Sequence, residues 1–230
     1  MFIFHYFNGI AYGTKWRHRH FECIPVSFVQ FFDVANAAPA KVGPLRAWQE
    51  QALQVVMPMI MDHPVLVEAC PGAGKTTFGL EVAYRLIASG RISRVIIVVP
   101  SLGIANGWLE SASTREPHSP TLPLRGPGDW RPTEPIGDRW VGVVATYQSL
   151  FTSTDMFLAH ATDPGHRTLL IFDEVHHAGV DSGWGKSAQE AFARYAAGIL
   201  SLTGTPFRTG RDPIVFVPSM GGSAKPDYRY

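Results

Sequence analysis

Ala69-Cys70-Pro71-Gly72-Ala73-Gly74-Lys75-Thr76-Thr77 is the stretch on which the fold turns. It follows the apolar run Val65-Leu66-Val67 and precedes residues with helical spacing, so it reads as the turn between a strand and a helix. Glycines at 72 and 74 let backbone N–H groups close around phosphate oxygens, and the next helix directs its positive N-terminal end at them. Lys75 then reaches the β- and γ-phosphates of a nucleoside triphosphate, and the Thr76 hydroxyl is placed to hold Mg²⁺. The usual pattern opens with glycine six residues before the lysine. Here that position is Ala69, so partners elsewhere in the chain must settle the reading.

Outward from this turn, strands and helices alternate. Leu45, Trp48, Ala52, Val55 and Val56 recur at near-helical spacing after Pro44. Val65–Glu68 is a predicted strand, Thr76–Ser89 a helix stopped at Gly90, and Arg94–Val99 a β-branched strand closed by Pro100. A helix weakened by Gly103 and Gly107 is predicted over 102–111, and residues 112–138, rich in Pro, Gly, Ser and Thr, read as a loop insertion. Then come a strand at 140–145, a helix starting at Tyr147, a strand at 168–172, a helix at 187–196 and a strand at 198–202. Continuous apolar strands separated by helices predict an α/β domain: a parallel sheet with helices on both faces. Such sheets bind ligands at the carboxyl ends of their strands, where every motif described here falls.

Asp173-Glu174-Val175-His176 directly follows the apolar strand Leu169-Leu170-Ile171-Phe172. A carboxylate there can face the phosphate turn and hold Mg²⁺, which is the role expected of Asp173. Glu174 is then the group that orients and deprotonates an attacking water, and His176 is placed to sense the terminal phosphate. Away from a phosphate turn, two acids at a strand end would simply cap a loop. Ser201-Leu202-Thr203-Gly204-Thr205-Pro206 follows another apolar strand, and the hydroxyls of Thr203 and Thr205 can hydrogen-bond His176 or Asp173, coupling phosphate state to movement.

Taken in order, these motifs resemble the first RecA-like domain of the superfamily 2 helicases and translocases. Ala69–Thr77 looks like their motif I, in which alanine at the first position is normal, and Asp173–His176 looks like motif II in its Asp-Glu-x-His form. Leu202–Pro206 is similar to motif III, Val99-Pro100-Ser101 to motif Ia, and Ala145-Thr146-Tyr147-Gln148-Ser149-Leu150 to motif Ib. Arg46 and Gln49 match the upstream element that recognises adenine. The resemblance implies a RecA-like P-loop NTPase fold that binds ATP and Mg²⁺ and hydrolyses ATP. Arg46, Gln49, Pro71, Gly72, Ala73, Gly74, Lys75, Thr76 and Thr77 would hold the nucleotide, Thr76 and Asp173 the metal. Ser101 and Thr146 would touch nucleic-acid backbone, contacts that carry little sequence information. Phe207-Arg208 and the Asp-Glu-Val-His-His run look most like the branch with restriction-enzyme translocating subunits and DNA helicases, which favours DNA over RNA.

Family members close ATP between two RecA-like domains, the second supplying arginines. The implied organisation is an accessory segment at 1–40, one RecA-like domain at 41–212 and a truncated tail at 213–230, so the expectation is a first domain without its partner, supplied elsewhere or lost. Two alternatives stay open: a non-catalytic module using the fold to hold nucleic acid or regulate a partner, and a different phosphate-loop enzyme such as a small-molecule kinase, which needs neither Thr203–Thr205 nor Gln49.

Composition excludes less. A formal net charge of +1 leaves basic surface to local placement, and 46% apolar residues are ample for a core. Cys70 within the turn favours a reducing compartment over a disulfide. No segment carries eighteen apolar residues in succession, and the apolar opening Met1–Phe7 precedes its basic residues rather than following them, so a cytoplasmic protein without membrane contact is expected. The knot Lys15-Trp16-Arg17-His18-Arg19-His20 suits either a loosely ordered leader or an arm touching nucleic acid, and His18, His20 and Cys23 lack a second cluster to complete a metal site.

Overall fold

The structure is a computed structural model that describes residues 2–7, 10–15, 23–24, 45–113, 122–177, 192, 194–204, 219–220, 223–224 and 226–230. The chain divides into two compact units, residues 1–38 and 39–230. In the first, β1 (Phe2–Phe7), β2 (Ile10–Lys15) and β3 (Cys23–Ile24) form an antiparallel sheet in that order. Its register runs from Phe2 opposite Lys15 to Phe7 opposite Ile10. From sequence, only an accessory segment is expected here. The usable signal was Asn8-Gly9, a pair suited to a two-residue hairpin connection.

The second unit is built on a seven-stranded sheet. Helix α1 (Ala47–Met59) leads into β4 (Val65–Glu68), and the phosphate turn joins β4 to α2 (Lys75–Ala88). Gly90, at φ 67°, closes that helix, since a left-handed residue lets the last carbonyls find donors. β5 (Arg94–Val99) is buried along its whole length, as β-branched residues covered on both faces should be. Next come α3 (Leu102–Ser113), β6 (Leu124–Arg125), β7 (Gly142–Thr146), α4 (Tyr147–Thr152) and α5 (Thr154–Ala161). β8 (Thr168–Asp173) and β9 (Gly198–Thr203) complete the buried centre. β10 (Ser219–Met220) pairs with β11 (Ser223–Ala224), and β12 (Tyr228–Arg229) returns to the sheet.

Strand order is β12-β4-β9-β8-β5-β7-β6, with every pairing parallel. After β4 the chain passes over two strand positions to β5, runs out to the edge at β6, steps back inward to β7, then returns to lay β8 and β9 in the gap. That reversal brings the carboxyl ends of β4, β9 and β8 side by side, at strand spacings of about 4.8 Å. The ends of β5 and β7 come next in the same row.

β6 and β12 are among the elements that differ from the sequence reading. The loop insertion contains β6, a two-residue edge strand. The segment 213–230, read as a tail outside the domain, contributes β12, which pairs Tyr228 with Val67 and Arg229 with Glu68. Edge pairing needs only main-chain groups in the right place, so a short polar segment gives no hydrophobic pattern to announce it. Of the helix expected at 187–196, residues 192, 194 and 195 are helical and the Ala196 N–H donates to the Phe192 carbonyl at 3.0 Å, while 187–191 and 193 lie outside the described residues.

Candidate nucleotide site

The phosphate turn takes its shape from two glycines in left-handed conformations, Gly72 at φ 75° and Gly74 at φ 94°. Side-chain-bearing residues rarely adopt these angles, and the resulting turn bends the backbone around an open cradle at the start of α2. Three side chains from the start of the domain hold its outer rim. Arg46 Nη1 donates to the Gly72 carbonyl at 2.9 Å, Trp48 Nε1 to Ala73 at 3.0 Å, and Gln49 Nε2 to Gly74 at 2.9 Å. Gln49 Oε1 meanwhile accepts from the Arg46 N–H at 2.8 Å, so both edges of this amide are engaged within the protein.

Lys75 lies at the foot of the turn, 9% exposed, with Nζ donating to the Ala69 carbonyl at 3.1 Å. It also stands 3.1 Å from Glu174 Oε1, which brings the lysine of the first motif onto the second acid of the next one. Pro71 and Ala73 complete the turn, and Thr76 and Thr77, half-buried, follow Lys75 in the first turn of α2.

β8 ends on Asp173, which is 5% exposed. Its Oδ2 accepts from the indole Nε1 of Trp108 at 2.8 Å, while Oδ1, equally buried, has no hydrogen-bond partner among the described residues. Burial is the main reason its carboxyl is raised above the usual range; the Trp108 bond opposes this, Glu174 adds to it, and Lys75 opposes it again. A buried, bare carboxylate oxygen beside a lysine-bearing phosphate turn fits a divalent cation, which would supply the missing partner.

Glu174 sits in the left-handed region at φ 48°, the one described residue other than glycine that does so. Its Oε2 accepts from the Gly204 N–H at 3.0 Å and lies 3.4 Å from His176 Nδ1. Partial burial would raise this carboxyl, but the Gly204 N–H, the Lys75 ammonium and His176 together outweigh it, holding it below the ordinary range. His176 Nδ1 is 3.0 Å from Thr203 Oγ1, and the Ala69 N–H donates to the Thr203 carbonyl at 2.9 Å. Turn, Glu174, His176 and Thr203 therefore form one linked group of hydrogen bonds and ion pairs, with Asp173 beside it at the end of β8. Thr205, Phe207 and Arg208 lie outside the described residues.

Ser101 and Thr146 stand apart from this group, at the ends of β5 and β7. Both hydroxyls face helix starts: Ser101 Oγ accepts from the Ile104 N–H at 3.4 Å and Thr146 Oγ1 from the Ser149 N–H at 3.2 Å. Sequence reasoning missed three aromatic residues. Trp48 was taken only for its place on an apolar helix face, Tyr147 for a helix start, and Trp108 drew no attention. A tryptophan in a helix weakened by two glycines was the available hint.

The sequence profile of the family described as "Type III restriction enzyme, res subunit" matches residues 43–208. The chain belongs to that family. Among curated relatives, an uncharacterised protein of Mycobacterium leprae is 36% identical over 207 residues, covering 89% of this chain and 33% of the relative. A Mycobacterium tuberculosis protein is 34% identical over 174 residues, covering 76% of this chain and 27% of the relative. The chain thus spans a third or less of the length of these relatives. Among solved structures, the SWI2/SNF2 ATPase core of Sulfolobus solfataricus in complex with dsDNA superposes with a TM-score of 0.57 at 18% identity, over 75% of this chain and 34% of that one. The Hef helicase domain of Pyrococcus furiosus gives 0.54 at 23% identity, over 71% and 34%. The fold of this family member is thereby that of a RecA-like helicase domain. No helix among the described residues is long and apolar enough to cross a membrane.

Proposed function

We propose that the second unit, residues 39–230, is the ATP-binding, first RecA-like domain of an ATP-dependent DNA helicase or translocase. The observation that carries this reading is the ion pair of Lys75 with Glu174 beside the bare Oδ1 of Asp173. ATP would supply the phosphoanhydride to be cleaved, and Mg²⁺ would offset the negative charge of its phosphates. The N–H groups of residues 72–77 cradle phosphate, and Lys75 exchanges Glu174 for the terminal phosphates. Thr76 and Asp173 hold the metal. Glu174, kept ionised by its neighbours, orients the attacking water; a carboxylate of lowered pKa is a weak base, so orientation is its larger part. His176, Thr203 and Thr205 relay the state of the phosphate, while Arg46 and Gln49 hold adenine once Gln49 releases Gly74. Ser101 and Thr146 take nucleic-acid backbone. DNA is favoured by the Asp-Glu-Val-His spelling, and one structural relative is described in complex with dsDNA.

A second RecA-like domain, on the same polypeptide or another, completes the site. Arginines from such a partner are worth roughly 10³–10⁵-fold in related phosphate chemistry. The 230-residue chain alone is therefore expected to bind Mg·ATP, turn it over very slowly and leave a duplex intact. Calorimetric titration with ATP is the direct test: Lys75→Ala is expected to abolish binding while leaving the melting temperature close to that of the parent chain. Undiminished ATP affinity in Lys75→Ala would sink the reading.

A further inference from the structure

Asp173 is gripped from two sides by aromatic residues to which the motif roles above give no function. Trp108, in the second half of α3, is fully buried, and its indole N–H donates to Asp173 Oδ2 at 2.8 Å. Tyr147, the first residue of α4, is buried, and its hydroxyl donates to the main-chain carbonyl of Asp173 at 3.0 Å. One bond fixes the direction of the carboxylate and the other fixes the end of the strand that bears it.

A packing role alone does not account for this arrangement. A buried indole N–H needs an acceptor, and a main-chain carbonyl suffices: Trp48 uses that of Ala73 and Trp130 that of Glu134. Trp108 instead takes one oxygen of a carboxylate whose other oxygen is left bare. The ring is itself locked, because a Cβ on Gly79 of α2 would fall 2.6 Å from Trp108 Cη2, so the helix that follows the phosphate turn closes over the indole. The two helices that supply the grips begin directly after Ser101 and Thr146, at the two strand ends beyond β8.

We propose that Trp108 and Tyr147 are positioning residues that aim Asp173 at its divalent cation and transmit a shift of α3 or α4, imposed by a bound nucleic-acid strand, to the metal. This deepens the reading above and rests on Asp173 as a metal ligand and on Ser101 and Thr146 as backbone contacts.

The test uses the full chain, MgCl₂, a non-hydrolysable methylanthraniloyl-ATP analogue followed by anisotropy, and a single-stranded oligothymidylate. In Trp108→Phe, the tightening of analogue binding by Mg²⁺ is expected to shrink about tenfold, the worth of a hydrogen bond to a charged group, with Mg²⁺-free affinity unchanged. Oligonucleotide and Mg-bound analogue should tighten one another in the parent chain by one common factor, of order fivefold or more, since such coupling is reciprocal. In both Trp108→Phe and Tyr147→Phe that factor should collapse to near one while affinity for the oligonucleotide alone persists. If Trp108→Phe fails to fold, Tyr147→Phe, which removes a single oxygen, decides the matter. An unchanged coupling factor in the variants, an absent one in the parent chain, or an equal loss of Mg²⁺-free and Mg²⁺-bound affinity in Trp108→Phe overturns the inference. Failure of the parent chain to bind the oligonucleotide at all defeats instead the reading on which the inference rests.

Discussion

At the scale of single residues, the site is built around a carboxylate that the folded protein alone leaves poorly served. Asp173 is buried, raised in pKa first by desolvation, and has one oxygen without a partner among the described residues. A carboxyl raised on folding lowers stability by an amount fully present above its folded pKa and absent below the ordinary carboxylate range, so stability should fall as pH rises between the two. Asp173→Asn keeps an oxygen for Trp108 while removing the charge. It is expected to stabilise the Mg²⁺-free chain by about 0.5–2 kcal/mol at neutral pH, in the manner of active-site residues kept for function, and to erase that part of the pH dependence. Urea unfolding with and without MgCl₂ checks both, since Asp173→Asn should also lose any stabilisation by Mg·ATP. A lower unfolding midpoint for Asp173→Asn at pH 7 would mean that the bare oxygen is satisfied. Lys75, Asp173, Glu174 and His176 were legible from sequence because each lies in a short run directly after an apolar strand. Trp108 was not, since its bond to Asp173 joins positions 65 apart and nothing local marks it.

At the scale of elements, what reads clearly is what is buried on both sides. β4 and β5 run over the predicted residues, because unbroken apolar strands leave few choices of boundary. β6 and α5 were not foreseen: one is a two-residue edge pairing in a stretch of prolines and glycines, and the other starts at Ser153 without a side-chain cap. Gln49 was placed in the right neighbourhood, yet its grip on Gly74 depends on how α1 meets the phosphate turn, which periodicity does not contain. Packing between α2 and α3 gives the sharpest prediction at this scale. Gly79 faces the Trp108 ring on one side, and its missing Cβ would also lie 3.3 Å from Leu202 Cδ1 in β9. Gly79→Ala therefore meets a locked indole and the sheet at once. Although alanine favours helices by about 1 kcal/mol over glycine, overpacking of this kind costs about 1–3 kcal/mol, so net destabilisation is expected in denaturant titrations. A gain in stability instead would show that Trp108 is free to yield.

At the scale of the whole molecule, the sheet is closed beside the nucleotide site by the last residues of the chain. β12 pairs with β4, the strand that launches the phosphate turn. Asp227 bonds Leu66 twice, its Oδ2 accepting from the Leu66 N–H at 2.8 Å and its own N–H donating to the Leu66 carbonyl at 2.9 Å. Tyr230 N–H donates to the Glu68 carbonyl at 2.9 Å, and Arg229 forms an ion pair with Glu68. Trp48 stacks on Tyr230 at 5.2 Å and on Tyr228 at 6.3 Å, with its indole N–H on Ala73 of the turn. The segment thus backs the residue that steadies the cradle, across a separation in sequence that no local pattern can reveal. Four main-chain or charge-assisted hydrogen bonds at about 1 kcal/mol each, with aromatic contacts of about 0.5–1.5 kcal/mol, would be lost by removing residues 226–230. Part of that sum returns as chain freedom, so a loss of about 2–4 kcal/mol is expected in urea unfolding. ATP affinity should weaken with it, because Trp48 loses its backing and the turn its order. Asp227→Ala separates the two effects: it breaks the bond to Leu66 N while leaving the aromatic stack, and should lower stability with little change in ATP binding. Equal unfolding midpoints for the shortened and full chains would show that β4 needs no neighbour on this edge.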